Sequence, residues 1–255
     1  MIEEPYRWVE AIANRREYIE TQLAPGSPIA ALSYRDGILF VTVGQARQKL
    51  FEIYDRIALG AIGHPGDIER LRMAAIELAS TEGFTRSAAD VSLRRLAFYS
   101  LSPILKTAFE QVYGAPYLAR MIFAEVGSAP EDDLFLRVEY DGAIAAQGGA
   151  KRAGFCASSG TARATELMEE LLQRDHDPKA TLHGAMKVAL DAWSAGSMPP
   201  ADEVSSGLPS HSGLLEYRQE KLSGATLEAC VLERSAKTSI RYRQLAGEEL
   251  QALSA

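Results

Sequence analysis

Cysteine is nearly absent from this 255-residue chain: Cys156 and Cys230 are the only two. Two cysteines make neither a disulfide framework nor a zinc quartet. Both fall in apolar runs and read as small core residues, which places the chain in a reducing, cytoplasmic setting. Histidine is scarce too. His64, His176, His183 and His211 show no metal spacing with a second ligand on one helix face, so neither a metal nor a cofactor is expected. Basic surplus is missing: the net charge is -7, the wrong sign for nucleic acid. No apolar run approaches the roughly 20 residues of a membrane span. The amino terminus is acidic and amphipathic rather than a secretory signal. No Pro/Ser/Gly-rich linker divides the chain before residue 197, so one large layered domain is expected.

What is present begins with a pair of apolar, β-rich runs. Ile29-Ala-Ala-Leu-Ser-Tyr34 and Ile38-Leu-Phe-Val-Thr-Val43 flank Arg35-Asp36-Gly37. Gly37 supplies the backbone freedom for a hairpin. Neither run alternates strictly with polar residues, so both faces of this hairpin are expected to be covered. Strands at 48–53 and 57–62 follow. Helices are read over 5–23, over 67–82 ended by Gly83, and from a capping box at Ser87-Ala-Ala-Asp90 through about residue 113. Pro103 is expected to kink the last of these. In the first, Trp8, Val9, Ile12, Ile19 and Leu23 form the packing stripe, with Trp8 as anchor, and Arg15, Arg16, Glu17 and Glu20 stay solvated.

Further strands are read at 121–126, 134–138, 142–144 and 153–157, with a second hairpin around Asp141-Gly142. Gly148-Gly149 beside Lys151-Arg152 lacks the rest of a phosphate loop and reads as a turn. A helix carrying Leu167, Met168, Leu171 and Leu172 follows, then one capped by Asp177 with Pro178 at its first turn. The second has the stripe Leu182, Met186, Ala189, Leu190 and Trp193. Residues 197–224 read as a mobile surface loop. Strands at 227–232 and 239–243 and a short helix at 248–253 complete the chain. The order predicts an α+β, four-layer αββα sandwich. Residues 1–28 are expected to form an N-terminal helical segment, and 29–255 the sandwich.

Several of these stretches resemble proteasome-type subunits of the Ntn-hydrolase fold. Arg35-Asp36-Gly37 matches their first hairpin turn, Lys49-Leu50-Phe51 their lysine before an apolar strand, and Gly63-His64-Pro65-Gly66-Asp67 their Gly-x-x-x-Asp opening of the first long helix. Tyr113-Gly114-Ala115-Pro116-Tyr117 continues the match, although Ser158 stands where a glycine is usual. The helix before the first strand marks the α type, closest in layout to actinobacterial subunits of the 20S core particle.

The resemblance implies a non-catalytic subunit in a heptameric outer ring. That ring would stack on β-type peptidase subunits, gate substrate entry and dock a ring-shaped ATPase through its C-terminal tail. Lys49, with Gly63 and His64 lining the same pocket, would receive the terminal carboxylate. The bland alternative for Lys49 is an ion pair with Glu52 or Asp55. Tyr6-Arg7 resembles in part an archaeal Tyr-Asp-Arg gate without its acidic member, and with Trp8 forms the expected gate region. A second reading is a self-processing β-type hydrolase with Ser27 as nucleophile, Lys49 as the tuning lysine and Val43 at the acid's place. Ser27 has no free α-amine and Val43 cannot ionise. A third is a small-molecule-binding α/β protein.

Overall fold

The computed structural model describes residues 5–44, 47–111, 113–146, 154–199 and 207–254. The glycine pair at 148–149 and its basic neighbours lie outside them. Two five-stranded antiparallel sheets form the middle. β1 (Ile29–Tyr34) and β2 (Gly37–Gly44) make the predicted hairpin. They stand in the first sheet with β8 (Phe155–Ser158), β9 (Thr226–Glu233) and β10 (Tyr242–Leu245), in the order β10-β9-β2-β1-β8. The second sheet runs β3-β4-β5-β6-β7, from β3 (Leu50–Tyr54), β4 (Ile57–Gly63), β5 (Ala119–Glu125), β6 (Leu134–Val138) and β7 (Ile144–Ala146).

The two-residue period of the strands assigns each face. Ile29, Ala31, Ile38 and Phe40 point at the second sheet and pack with Leu50, Ala58, Ile62 and Ile122. Ala30, Leu32, Leu39 and Val41 point outward under α5 (Ala162–Asp175) and α6 (Leu182–Ser197), meeting Met168, Leu171, Met186 and Leu190. Every β1 residue is buried, as the lack of polar alternation implies. The second sheet is covered by α2 (Pro65–Thr85), α3 (Leu93–Arg95) and α4 (Ser102–Glu110), through Leu71, Ala75, Leu93 and Leu105. The layers are therefore αββα. No helix among the described residues is long and apolar enough to cross a membrane.

Several local expectations are corrected. Gly83 lies inside α2 instead of ending it. A Cβ there would meet the Tyr54 hydroxyl at 2.2 Å, so the glycine makes room for that ring. Ser87 caps only a 3-10 turn at Ala88–Asp90, and the following helical rod begins at Ser92, whose hydroxyl accepts from Arg95 N. Pro103 is accommodated by a π turn over Leu96–Leu101, where Ser102 N bonds back to Ala97 O. The wider turn relieves the steric conflict that proline creates in an α-helix. The rod ends at Glu110, not near 113.

Asp177 closes a turn, accepting from Lys179 N at 2.9 Å, while Thr181 is the N-cap of α6. Within the stretch read as a loop lies α7 (His211–Leu222), capped by Ser210. β10 begins at Tyr242, leaving Ser239 and Ile240 outside it. α8 (Gly247–Ser254) is the expected final helix.

α1 (Pro5–Leu23) is also anchored differently from the expectation. Ile19 and Leu23 are buried against Phe109 and Tyr140, whereas Trp8 and Val9 are exposed. Arg15, expected in solvent, donates to Phe109 O and Gln111 O at 2.7 Å each, at the carboxyl end of α4. A guanidinium there satisfies carbonyls that have no partner within the helix. Glu20, also expected in solvent, accepts from Arg120 and Tyr140, tying the helix to the second sheet.

Candidate functional site

The connector between α1 and β1 brings the sequence's candidates together. Gly26 sits on Ile62, where a Cβ would approach Cγ2 to 2.1 Å. This contact lays the next residue across the mouth of the sandwich. The Ser27 hydroxyl donates to the Val43 carbonyl and accepts from Trp193 Nε1 at 3.2 Å. On the other side of the connector, the Ser27 carbonyl accepts from Lys49 Nζ at 3.3 Å.

Lys49 stands just before β3, held there by a carboxylate from a distant strand. Glu228 on β9 accepts from Lys49 N at 2.9 Å and Leu50 N at 2.9 Å. Burial lowers the Lys49 ammonium pKa, with Glu228 opposing the shift. Burial raises the Glu228 pKa against the two backbone bonds and Lys49. Neither Glu52 nor Asp55 pairs with the lysine. Among the described residues no carboxylate lies within ion-pairing distance of Nζ. An ammonium has three donors, and the bond to Ser27 O engages one of them.

Gly63 and His64 share this edge of the second sheet. Lys49 O accepts from Ala61 N at 3.0 Å, two residues before Gly63. Gly63 has φ 138°, and a Cβ there would stand 2.0 Å from Leu118 O. His64 caps α2, its Nδ1 accepting from Gly66 N at 3.2 Å, which puts the ring proton on Nε2. A Gly63→Ala substitution is expected to cost about 1–3 kcal/mol, because the backbone must move off Leu118 O. Urea denaturation checks this; an unchanged midpoint would contradict the strained turn.

Trp8 is exposed, and Tyr6 and Arg7 occupy the first turn of α1, with side chains outside the described residues. Some 17 residues of helix separate Tyr6 from the Leu23 end, about 25 Å. The gate candidates and the Lys49 edge are thus separate regions.

The Ser27, Lys49 and Val43 positions do converge, yet they make no nucleophile. Ser27 sits in mid-chain between Gly26 and Pro28, so it carries no α-amine. Its hydroxyl proton is committed to the Val43 carbonyl, and its oxygen accepts from Trp193 Nε1. Among the described residues no group of three His, Cys, Asp or Glu side chains is placed to hold a metal. A cavity of about 860 Å³ lies beside the connector, bounded by Ser27, Val43, Leu167, Trp193 and Tyr217.

Two elements of this site are not legible locally. Glu228 lies 179 residues from Lys49 and reaches it only because β9 pairs with β2, setting Thr42 opposite Glu228. The Ser27 carbonyl is a backbone group that carries no sequence signal. Gly26 does have one, as a glycine between two prolines in a short connector.

Two antiparallel sheets between helices, entered through a helix, make an αββα sandwich of the proteasome-subunit type. No family model matches the chain. It is 32% identical to a proteasome subunit alpha of Frankia casuarinae, over 96% of this chain and 93% of the relative. It is 30% identical to the proteasome subunit alpha of Streptomyces scabiei, over 96% and 88%. For that of Actinosynnema mirum the figures are 32%, 96% and 84%. The chain belongs to the proteasome alpha-subunit family.

Proposed function

We propose that this chain is the non-catalytic gating and docking subunit of a proteasome-type core. Seven copies form an outer ring on a ring of β-type peptidase subunits. Residues 1–28 restrict the axial entry, with Tyr6, Arg7 and Trp8 at its approach, and 29–255 form the wall. The edge carrying Lys49, Gly63 and His64 receives the terminal carboxylate of a ring-shaped ATPase, in the cytoplasm. Proteolysis is the work of the β-type partner.

The observation that carries this reading is the state of Lys49. It is a half-buried ammonium, held by a carbonyl, with no carboxylate in ion-pairing reach among the described residues. Such a group gains from an incoming carboxylate, because a charge-assisted bond in a partly desolvated place contributes more than one in water. Gly63 and His64 keep the neighbouring turn close to the backbone and rigid, so the pocket has a fixed wall.

Co-expression with a β-type partner tests the assembly. The expected product is a large barrel containing both chains, seen by size-exclusion chromatography and electron microscopy. A product that stays monomeric beside a folded partner would overturn the reading.

A further inference from the structure

At the opposite end of the second sheet from Lys49 lies a cavity of about 680 Å³, lined by four arginines, Arg56, Arg94, Arg234 and Arg241, against Glu125 and Asp132. From Leu50 to Arg56 the strand path covers about 20 Å, so this site is distinct from the docking edge. Its charge runs against that of the chain, whose net value is -7.

Four chain segments converge to build it. Arg56 comes from the β3–β4 turn, pairing with Glu125 at 2.7 Å and donating to Val91 O at 3.0 Å. Arg234 follows β9. It is fixed by Asp133 at 2.8 Å and donates to Gly127 O at 2.8 Å. Arg241 donates to Arg234 O and Ala236 O at 2.9 and 2.8 Å. Arg94 is exposed, at the start of the helical rod.

The charge does not balance. Glu125 answers Arg56, and Asp133 answers Arg234. Neither Arg94 nor Arg241 has a carboxylate within ion-pairing distance among the described residues. Asp132 is the one further acid lining the cavity. The Arg234 side chain is only 10% exposed. Its Nε–H is buried with no hydrogen-bond acceptor among the described residues, a cost that proteins seldom leave uncovered.

We propose that this cavity binds a polyvalent phosphate oxyanion. Guanidinium forks match tetrahedral oxyanions in bidentate fashion and hold them more specifically than ammonium groups do. Four guanidinium groups against Glu125, Asp132 and Asp133 leave a positive surplus that favours an anion. A lone phosphate would leave much of the space empty, so a short phosphate chain fits better. Among the described residues the lining contains no aromatic side chain to stack a nucleobase. Recognition is of the phosphate chain itself.

Titration calorimetry on the purified full chain tests this, with tripolyphosphate as the probe and orthophosphate, ATP and adenosine alongside. Tripolyphosphate is expected to bind one per chain, more tightly than orthophosphate, and to weaken as salt rises. ATP binding at least as tightly as tripolyphosphate, together with binding of adenosine, would overturn recognition of the bare chain. Arg94→Ala removes an exposed side chain and leaves the ion pairs of Arg56 and Arg234 in place. It is expected to weaken binding about tenfold. Lys106→Ala, the same change in net charge at a remote exposed lysine, should leave binding unchanged. Absence of tripolyphosphate binding, or equal loss in the two variants, would overturn the site.

Discussion

Lys49→Ala is expected to abolish activator-stimulated protein degradation while the particle still assembles and cleaves small peptides at its unstimulated rate. The substitution removes one half-buried ammonium at the end of the second sheet and spares the core. Glu228 keeps its bonds to the backbone of residues 49 and 50, so β3 stays in register. A charge-assisted hydrogen bond contributes about 1.5–3 kcal/mol, or roughly 10- to 100-fold in affinity for the activator tail. Lys49→Arg should recover only part of that, since a planar fork does not occupy an ammonium's place.

A pH dependence follows from the same group. Burial lowers the Lys49 pKa, and only the protonated amine attracts a carboxylate. Docking should therefore fade on the alkaline side earlier than an ordinary solvated lysine would allow. The check is binding of a peptide copy of the activator tail to wild type and variant. Equal affinities would return Lys49 to the role of a strand-start lysine.

Asp133→Ala is expected to produce the largest loss of stability of any change considered. Asp133 is fully buried and accepts four bonds: two from Arg234 at 2.8 and 2.9 Å, one from Ser33 Oγ at 2.7 Å and one from Gly127 N at 2.9 Å. Ser33 lies in β1 and Arg234 follows β9 of the first sheet, whereas Gly127 follows β5 and Asp133 precedes β6 of the second, so the carboxylate fastens the two together at one end of the sandwich. Its removal leaves the Arg234 guanidinium buried without a counter-charge, which costs about 3–5 kcal/mol. A domain has only about 5–15 kcal/mol in total, so the midpoint of thermal unfolding should fall by about 10 °C or more. Pairing Asp133→Ala with Arg234→Met removes the orphaned charge and should restore part of the loss. A single variant as stable as wild type would show that the pair contributes nothing.

The fold was legible where local chemistry and tertiary demand agree. The β1–β2 hairpin shows in its apolar runs and its Gly37 turn, and the absence of polar alternation gives away its two covered faces. The α5 and α6 stripes read correctly for the same reason. Misreadings cluster where two local signals compete and packing chooses. Asp177 and Thr181 are both competent caps. Ala180 O accepts from Arg35 N at 3.1 Å, which holds residues 177–180 as a turn against the hairpin and leaves the cap to Thr181. α7 was hidden because its neighbours are rich in Ser, Gly and Pro, and because it buries little beyond Leu214. At Pro103 the sequence shows the conflict without its resolution, a π turn over Leu96–Leu101. In the site, Lys49, Gly63 and His64 carry local signatures, whereas the carboxylate that seats Lys49 arrives through sheet pairing.

The central claim, that this subunit gates and docks but does not cut, is tested most directly by Ser27→Ala within the complex reconstituted with its β-type partner. The Ser27 hydroxyl here bonds the Val43 carbonyl and Trp193, and the lysine contact runs through the backbone carbonyl, which alanine retains. Peptide hydrolysis by the assembled variant is therefore expected to equal that of wild type. Loss of hydrolysis by a variant that still assembles into the barrel would contradict the account.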